Sequence, residues 1–186
     1  FLGLMTVVGI GVFVFFFFKK KPTAPPVVVV QSNVPEMQNT TAVQTEWSNK
    51  EKGDAFEKYI VRCFDEERFK IIEWQSDKGI DGRYPEANMK PDLIFVLVLQ
   101  EGNVKFAVEC KYRSQIEKSN LIEICSSEQL DRYKTFAKRE RIEVFIALGV
   151  GGTPDCPDEV YAIPLRNIYH PKVEFKKIEK YFKQPG

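Results

Sequence analysis

Pro91-Asp92-Leu93-Ile94-Phe95-Val96-Leu97-Val98-Leu99 and Val104-Lys105-Phe106-Ala107-Val108-Glu109-Cys110-Lys111-Tyr112 decide the fold of this 186-residue chain. The first run is almost continuously apolar after Asp92, which is the pattern of a strand covered on both faces. Gln100 to Asn103, with Gly102 inside, joins the two as a hairpin. With that connection Leu99 pairs with Val104, and Asp92 lies opposite Lys111. Side chains alternate faces with period two, so Asp92, Glu109 and Lys111 project from one face. Any even-length connection preserves this placement, whereas a single bulge breaks it.

Two carboxylates and an ammonium at one strand end are costly to bury unless they act together. Two hard oxygen ligands beside open positions suit Mg²⁺, with Mn²⁺ as a substitute. Such a cation makes a bound water more acidic and offsets charge on a phosphoryl transition state. Lys111 supplies a point charge that orients or activates that water. The plainer alternative is a surface hairpin with a Glu109–Lys111 ion pair.

Working outward, a helix is expected over about 51–67, where Phe56, Tyr59, Ile60, Cys63 and Phe64 recur at helical spacing. Glu57 falls inside its apolar arc. It reads either as an edge side chain reaching for water or as a third carboxylate aimed at the same metal. A strand is expected over about 69–75, then a turn-rich loop holding Asp77 and Asp81, which read as turn acids. A second helix is expected over about 127–140, with Gln129 and Tyr133 on one face. Ser126-x-x-Gln129 also fits a capping box, which competes with a substrate role for Gln129. Strands follow at about 142–148 and 159–163, and the basic stretch 172–183 is expected to form a short final helix. Gly149-Val150-Gly151-Gly152 matches no phosphate-loop spacing and is read as a structural turn. The order is that of an α/β sandwich.

Glu57, Pro91-Asp92, Glu109-x-Lys111 and Gln129-x-x-x-Tyr133, in that order of elements, resemble the PD-(D/E)xK nuclease superfamily. The Gln-x-x-x-Tyr element is similar to that of the RecB-like and resolvase-like branches. The resemblance implies a restriction-endonuclease-like αβββαβ core, a mixed sheet flanked by helices, and Mg²⁺-dependent hydrolysis of DNA phosphodiesters. It implies Asp92 and Glu109 as metal ligands, the Cys110 carbonyl as a third and Glu57 as the supporting acid. Lys111 sits on the attacking water. Gln129, Tyr133 and, two residues beyond Lys111, Arg113 are assigned to substrate binding. Some RecB-like members hold an iron–sulfur cluster, but Cys63, Cys110, Cys125 and Cys156 lack the clustered spacing.

Composition sets the remaining bounds. The single histidine, His170, weakens mechanisms that need several, and the absence of Cys-x-x-Cys argues against structural zinc. Residues 1–18 carry no charge and precede Lys19-Lys20-Lys21. At about 1.5 Å per residue they reach roughly 27 Å, enough for a single transmembrane helix. Residues 19–50 form a basic collar and Pro-rich linker, and 51–186 the nuclease-like domain. The lysines place that domain in the cytoplasm, under an inner or plasma membrane. Four of the 27 basic and two of the 26 acidic residues precede residue 51, so the domain holds 23 against 24, net −1. Its near-neutrality favours a rival reading, a catalytically inactive module that binds nucleic acid or protein at the membrane. The acid–acid–lysine set favours the enzyme. The oligomeric state is left open, a dimer included.

Overall fold

The computed structural model describes residues 47–75, 90–116 and 120–183. The expected transmembrane segment, the Pro-rich linker up to residue 46 and the loop holding Asp77 and Asp81 lie outside these. Among the described residues no helix is long and apolar enough to cross a membrane.

Helix α1 spans Asn49–Cys63. It starts two residues earlier than its apolar periodicity suggests, because Ser48 and Glu51 form a capping box. Ser48 Oγ accepts from Glu51 N at 3.2 Å, and Glu51 Oε2 accepts from Ser48 N at 2.8 Å. It also ends earlier than expected. Phe64 turns extended and joins an aromatic cluster, with ring centroids 4.4 Å from Phe95 and 5.0 Å from Phe69. Burying that ring outweighs one more helical turn.

Strands β1 (Phe69–Trp74), β2 (Leu93–Leu97) and β3 (Val104–Arg113) form an antiparallel unit. The chain then makes a short strand β4 (Leu121–Glu123) and helix α2 (Ser127–Glu140). It returns as β5 (Glu143–Val150), parallel to β3, and continues antiparallel into β6 (Glu159–Pro164). The tail is not one helix. It runs through β7 (Lys172–Glu174), a single turn α3 (Phe175–Ile178), a 3-10 turn and β8 (Phe182–Lys183). Strand order is β1-β2-β3-β5-β6-β8, and β4 pairs separately with β7. This is the expected αβββαβ core, a mixed sheet with flanking helices, plus the β4–β7 ribbon.

Both sheet faces are covered, as the apolar runs of β2 and β5 require. One core packs α1 on Phe95, Phe106, Val108 and Phe145. The other packs Leu130, Tyr133 and Phe136 of α2 on Ile94, Ala107, Ile146 and Leu148. Alternate residues of each strand therefore belong to different cores.

The β2–β3 register differs from the expected one by two residues. Leu97, not Leu99, pairs with Val104, and Leu93 faces Val108. Val98 N donates instead to Arg68 O at 2.8 Å, which peels the chain away from β3. The connection becomes residues 98–103, still even in length. Parity survives, and extending the ladder sets Asp92 opposite Glu109 rather than Lys111.

Candidate active site

Trp74, Leu93 and Val108 lie abreast across β1, β2 and β3. The candidate residues gather just beyond that line. Asp92 immediately precedes β2. Its carbonyl accepts from Gln75 N at 2.8 Å, and its Oδ2 accepts from Cys110 N at 2.8 Å. The carboxylate is thereby stitched to the backbone of the strand that carries Glu109.

Glu109 has the parity of Ala107 and faces α2. There its Oε1 accepts from Lys111 Nζ at 2.6 Å and from Tyr133 Oη at 2.5 Å. Both donors bind the same oxygen, which leaves Oε2 as the one that can face a cation. Burial, and next the Asp92 charge, push the Glu109 carboxyl above its ordinary range, and Lys111 and Tyr133 pull the other way. The Tyr133 hydroxyl is held far up by burial and the Glu109 charge, so it stays a donor.

Glu57 reaches the same end from the other side of the sheet. It lies on α1 and its Oε2 accepts from the Trp74 indole at 3.0 Å. The Cys110 thiol packs on the α1-side core and senses all three acids. Burial raises it most, then Asp92, Glu57 and Glu109. Glu57, Asp92 and Glu109, at 7, 3 and 3 % exposure, are the buried polar or charged residues among those described. Acids concentrated in this way mark a functional centre more often than a structural one.

The structure gives four of the expected site residues specific partners or surroundings. Glu57 does not close a three-acid cage: among the described residues no three His, Cys, Asp or Glu side chains come together to hold a metal. The sheet separates it from the face that Glu109 uses, with Cys110 between. Tyr133 is buried against Glu109 and does not point outward to substrate. Gln129 acts as the capping residue, its Oε1 accepting from Ser126 N at 3.1 Å. Arg113 spends its guanidinium on backbone carbonyls. Nε and Nη2 donate to Glu123 O at 3.1 and 2.8 Å, and Nη1 to Tyr112 O at 2.9 Å. It ties the end of β3 to β4.

The Trp74 indole finds its partner on a distant helix, a contact that carries no sequence signal. Beside Lys111 on the surface lies a cavity of about 420 Å³, walled by Asn49, Lys52, Gly53, Arg113 and Ser114. Nothing stands within 4 Å of where a Gly53 Cβ would sit, so that wall is open.

Two buried carboxylates, a backbone carbonyl and no histidine make a hard-oxygen donor set. It fits a divalent cation that keeps several waters. Tyr133→Phe tests the coupling of Tyr133 to the acid. Loss of a donor to the ionised form raises the Glu109 pKa further. Any activity that needs the ionised Glu109 should fall by about tenfold, and its acid limb should move to higher pH. A pH–rate profile superimposable on the wild type contradicts this.

No curated protein matches the sequence. Among solved structures, the Holliday junction resolvase Hjc of Archaeoglobus fulgidus aligns at 17 % identity and TM-score 0.48, over 72 % of this chain and 91 % of that one. A model of the archaeal Holliday junction resolvase (Hjc) family matches residues 48–179. That match spans most of the chain and takes in Glu57, Asp92, Glu109, Lys111, Gln129 and Tyr133, so the chain belongs to the archaeal Holliday junction resolvase family, within the PD-(D/E)xK nucleases.

Proposed function

We propose that this protein is a membrane-anchored, Mg²⁺-dependent endonuclease that hydrolyses phosphodiester bonds in branched DNA. The observation that carries the reading is the Asp92–Glu109 pair, buried side by side with Lys111 fixed on Glu109. Such a pair costs stability in the metal-free fold and is relieved by a cation. Asp92, Glu109 and the Cys110 carbonyl would hold the metal. When bound, Mg²⁺, or Mn²⁺ in its place, supplies Lewis-acid stabilisation of phosphate charge and a more acidic water.

The remaining work falls to the chain. Lys111, 17 % exposed at its side chain and tethered at 2.6 Å, presents an ammonium that orients the attacking water. Tyr133 fixes the Glu109 rotamer from below. Glu57, held by Trp74, supports the site from the α1 side rather than as a third ligand. The cavity beside Lys111 seats the substrate backbone, with Lys52 on its wall. Residues 1–18 anchor the chain in the membrane, and the Lys19–Lys21 collar keeps the domain on the cytoplasmic side.

The test uses the full chain, purified in detergent, with a synthetic four-way junction and Mg²⁺. Cleavage is expected, and chelation should stop it. Failure to cut junction, duplex or single-stranded DNA with either Mg²⁺ or Mn²⁺ overturns the enzymatic reading. Deleting residues 1–18 should release the protein from the membrane fraction, and retention there contradicts the anchor.

A further inference from the structure

The charge of the domain is unevenly placed. From Leu165 onward the chain holds six basic residues, Arg166, Lys172, Lys176, Lys177, Lys180 and Lys183, and two acidic ones, Glu174 and Glu179, net +4. Because residues 51–186 are net −1, the part before Leu165 is net −5. The basic segment folds around a cavity of about 640 Å³ between β7, α3 and the 3-10 turns Leu165–Asn167 and Glu179–Tyr181, walled by Lys172, Lys176, Lys177, Lys180, Tyr169 and His170. Two of these lysines are already engaged: Lys172 pairs with Glu123 at 3.3 Å and Lys177 with Glu174 at 2.7 Å. Lys176 and Lys180 carry no acidic partner among the described residues, and Lys180 lies over the Tyr181 ring at 5.1 Å. Tyr169 stands 74 % exposed at the rim.

This cavity is joined to the catalytic end through the β4–β7 ribbon. Lys172 faces Glu123 in the ladder, and Ile124 N donates to Pro171 O at 2.9 Å. The carbonyl of Glu123 takes the Arg113 guanidinium two residues beyond Lys111. The next residue but one, Cys125, is close enough to sense the Lys111 and Glu109 charges. A polyanion seated beside Lys111 therefore has a second basic surface one ribbon away.

We propose that the Lys176/Lys180 cavity, with Tyr169 at its rim, is a second docking site for the DNA backbone, contacting an arm of the substrate away from the reacting phosphate. The inference rests on the nuclease reading for its ligand but not for its test. Lysine heads supply the sequence-independent contacts. An exposed tyrosine beside them offers a stacking platform where the duplex opens.

The experiment measures equilibrium binding of a synthetic four-way junction by the full chain in metal-free buffer, where no cleavage occurs. Lys176→Ala/Lys180→Ala should weaken binding about tenfold at physiological salt and reduce the salt slope of log K by about two. Tyr169→Ala should weaken it by a smaller factor with the slope unchanged. Both lysines are exposed, so circular dichroism and Tm should be those of the wild type. Unchanged affinity and slope in the double variant overturn the proposal while leaving the nuclease reading intact. A loss confined to anionic phospholipid vesicles, at unchanged DNA affinity, assigns the lysines to a lipid surface and also overturns it. A wild type that binds the junction through these lysines yet cuts nothing supports this site and refutes the nuclease reading.

Discussion

Glu109→Gln is expected to reduce DNA cleavage by at least ~1000-fold, the scale on which removal of a transition-state electrostatic group acts, while leaving the metal-free domain at least as stable as the wild type. The two halves have one cause. The Glu109 carboxylate is buried beside Asp92, and those two effects exceed the help from Lys111 and Tyr133. A glutamine keeps the shape and still accepts from Tyr133, but it carries no charge to desolvate. The sign follows from linkage. A carboxyl raised in the folded state contributes stability that is fully present below the unfolded value and is lost as pH rises through the folded value. Wild-type Tm without metal should therefore fall as pH rises through that range, and the glutamine variant should lack this limb. At neutral pH its Tm should be higher than that of the metal-free wild type. Calorimetry with and without Mg²⁺ checks this; Mg²⁺ should stabilise the wild type and not the variant. A variant that melts well below the metal-free wild type shows that the Lys111 ion pair is structural.

The second large effect concerns packing behind the site. Gly149 pairs with Tyr112 in the β3–β5 ladder, and a Cβ there would lie 2.4 Å from Phe56 Cε2 and 2.8 Å from Cζ. Phe56 has no room to yield. It is fully buried, stacked with Tyr59 at 6.1 Å and tilted against Tyr112 at 6.1 Å. Gly149→Ala should destabilise the domain by about 2–3 kcal/mol, in the upper range for overpacking. Phe56→Leu alone should cost about 1–2 kcal/mol through the cavity it leaves. In the double variant the two costs should fall well short of their sum, because each relieves the other. Urea denaturation of the four proteins measures the coupling, and strict additivity contradicts the proposed contact.

Much of this arrangement could be read from the chain, for physical reasons. Parity along a strand depends only on counting by two. Asp92 and Glu109 were therefore placed at one end despite a hairpin register wrong by two residues. Helix α2 was found at its observed bounds because Ser126 and Gln129 spell its start. Side-chain partners were harder. The capping reading of Gln129 is the one its hydrogen bond matches, and Arg113, which also walls the cavity beside Lys111, bonds nearby backbone carbonyls. Tyr133 points inward to Glu109, a contact that its spacing from Gln129 does not reveal. The β4–β7 ribbon has three-residue strands, too short for a periodicity to show. Glu57 looked like a ligand because it shares the apolar arc of α1, but a helical wheel cannot say on which side of a sheet the helix packs.

Divalent-cation binding to the full chain by calorimetry tests the central claim most directly. Mn²⁺ should bind the wild type, and binding should be lost in Asp92→Asn and in Glu109→Gln. It should persist, weakened, in Glu57→Gln, and persist in Lys111→Ala even though that variant cuts no DNA. Binding that is unchanged in Asp92→Asn, or a wild type that takes up neither Mn²⁺ nor Mg²⁺, contradicts the assignment of Asp92 and Glu109 as the metal-holding pair.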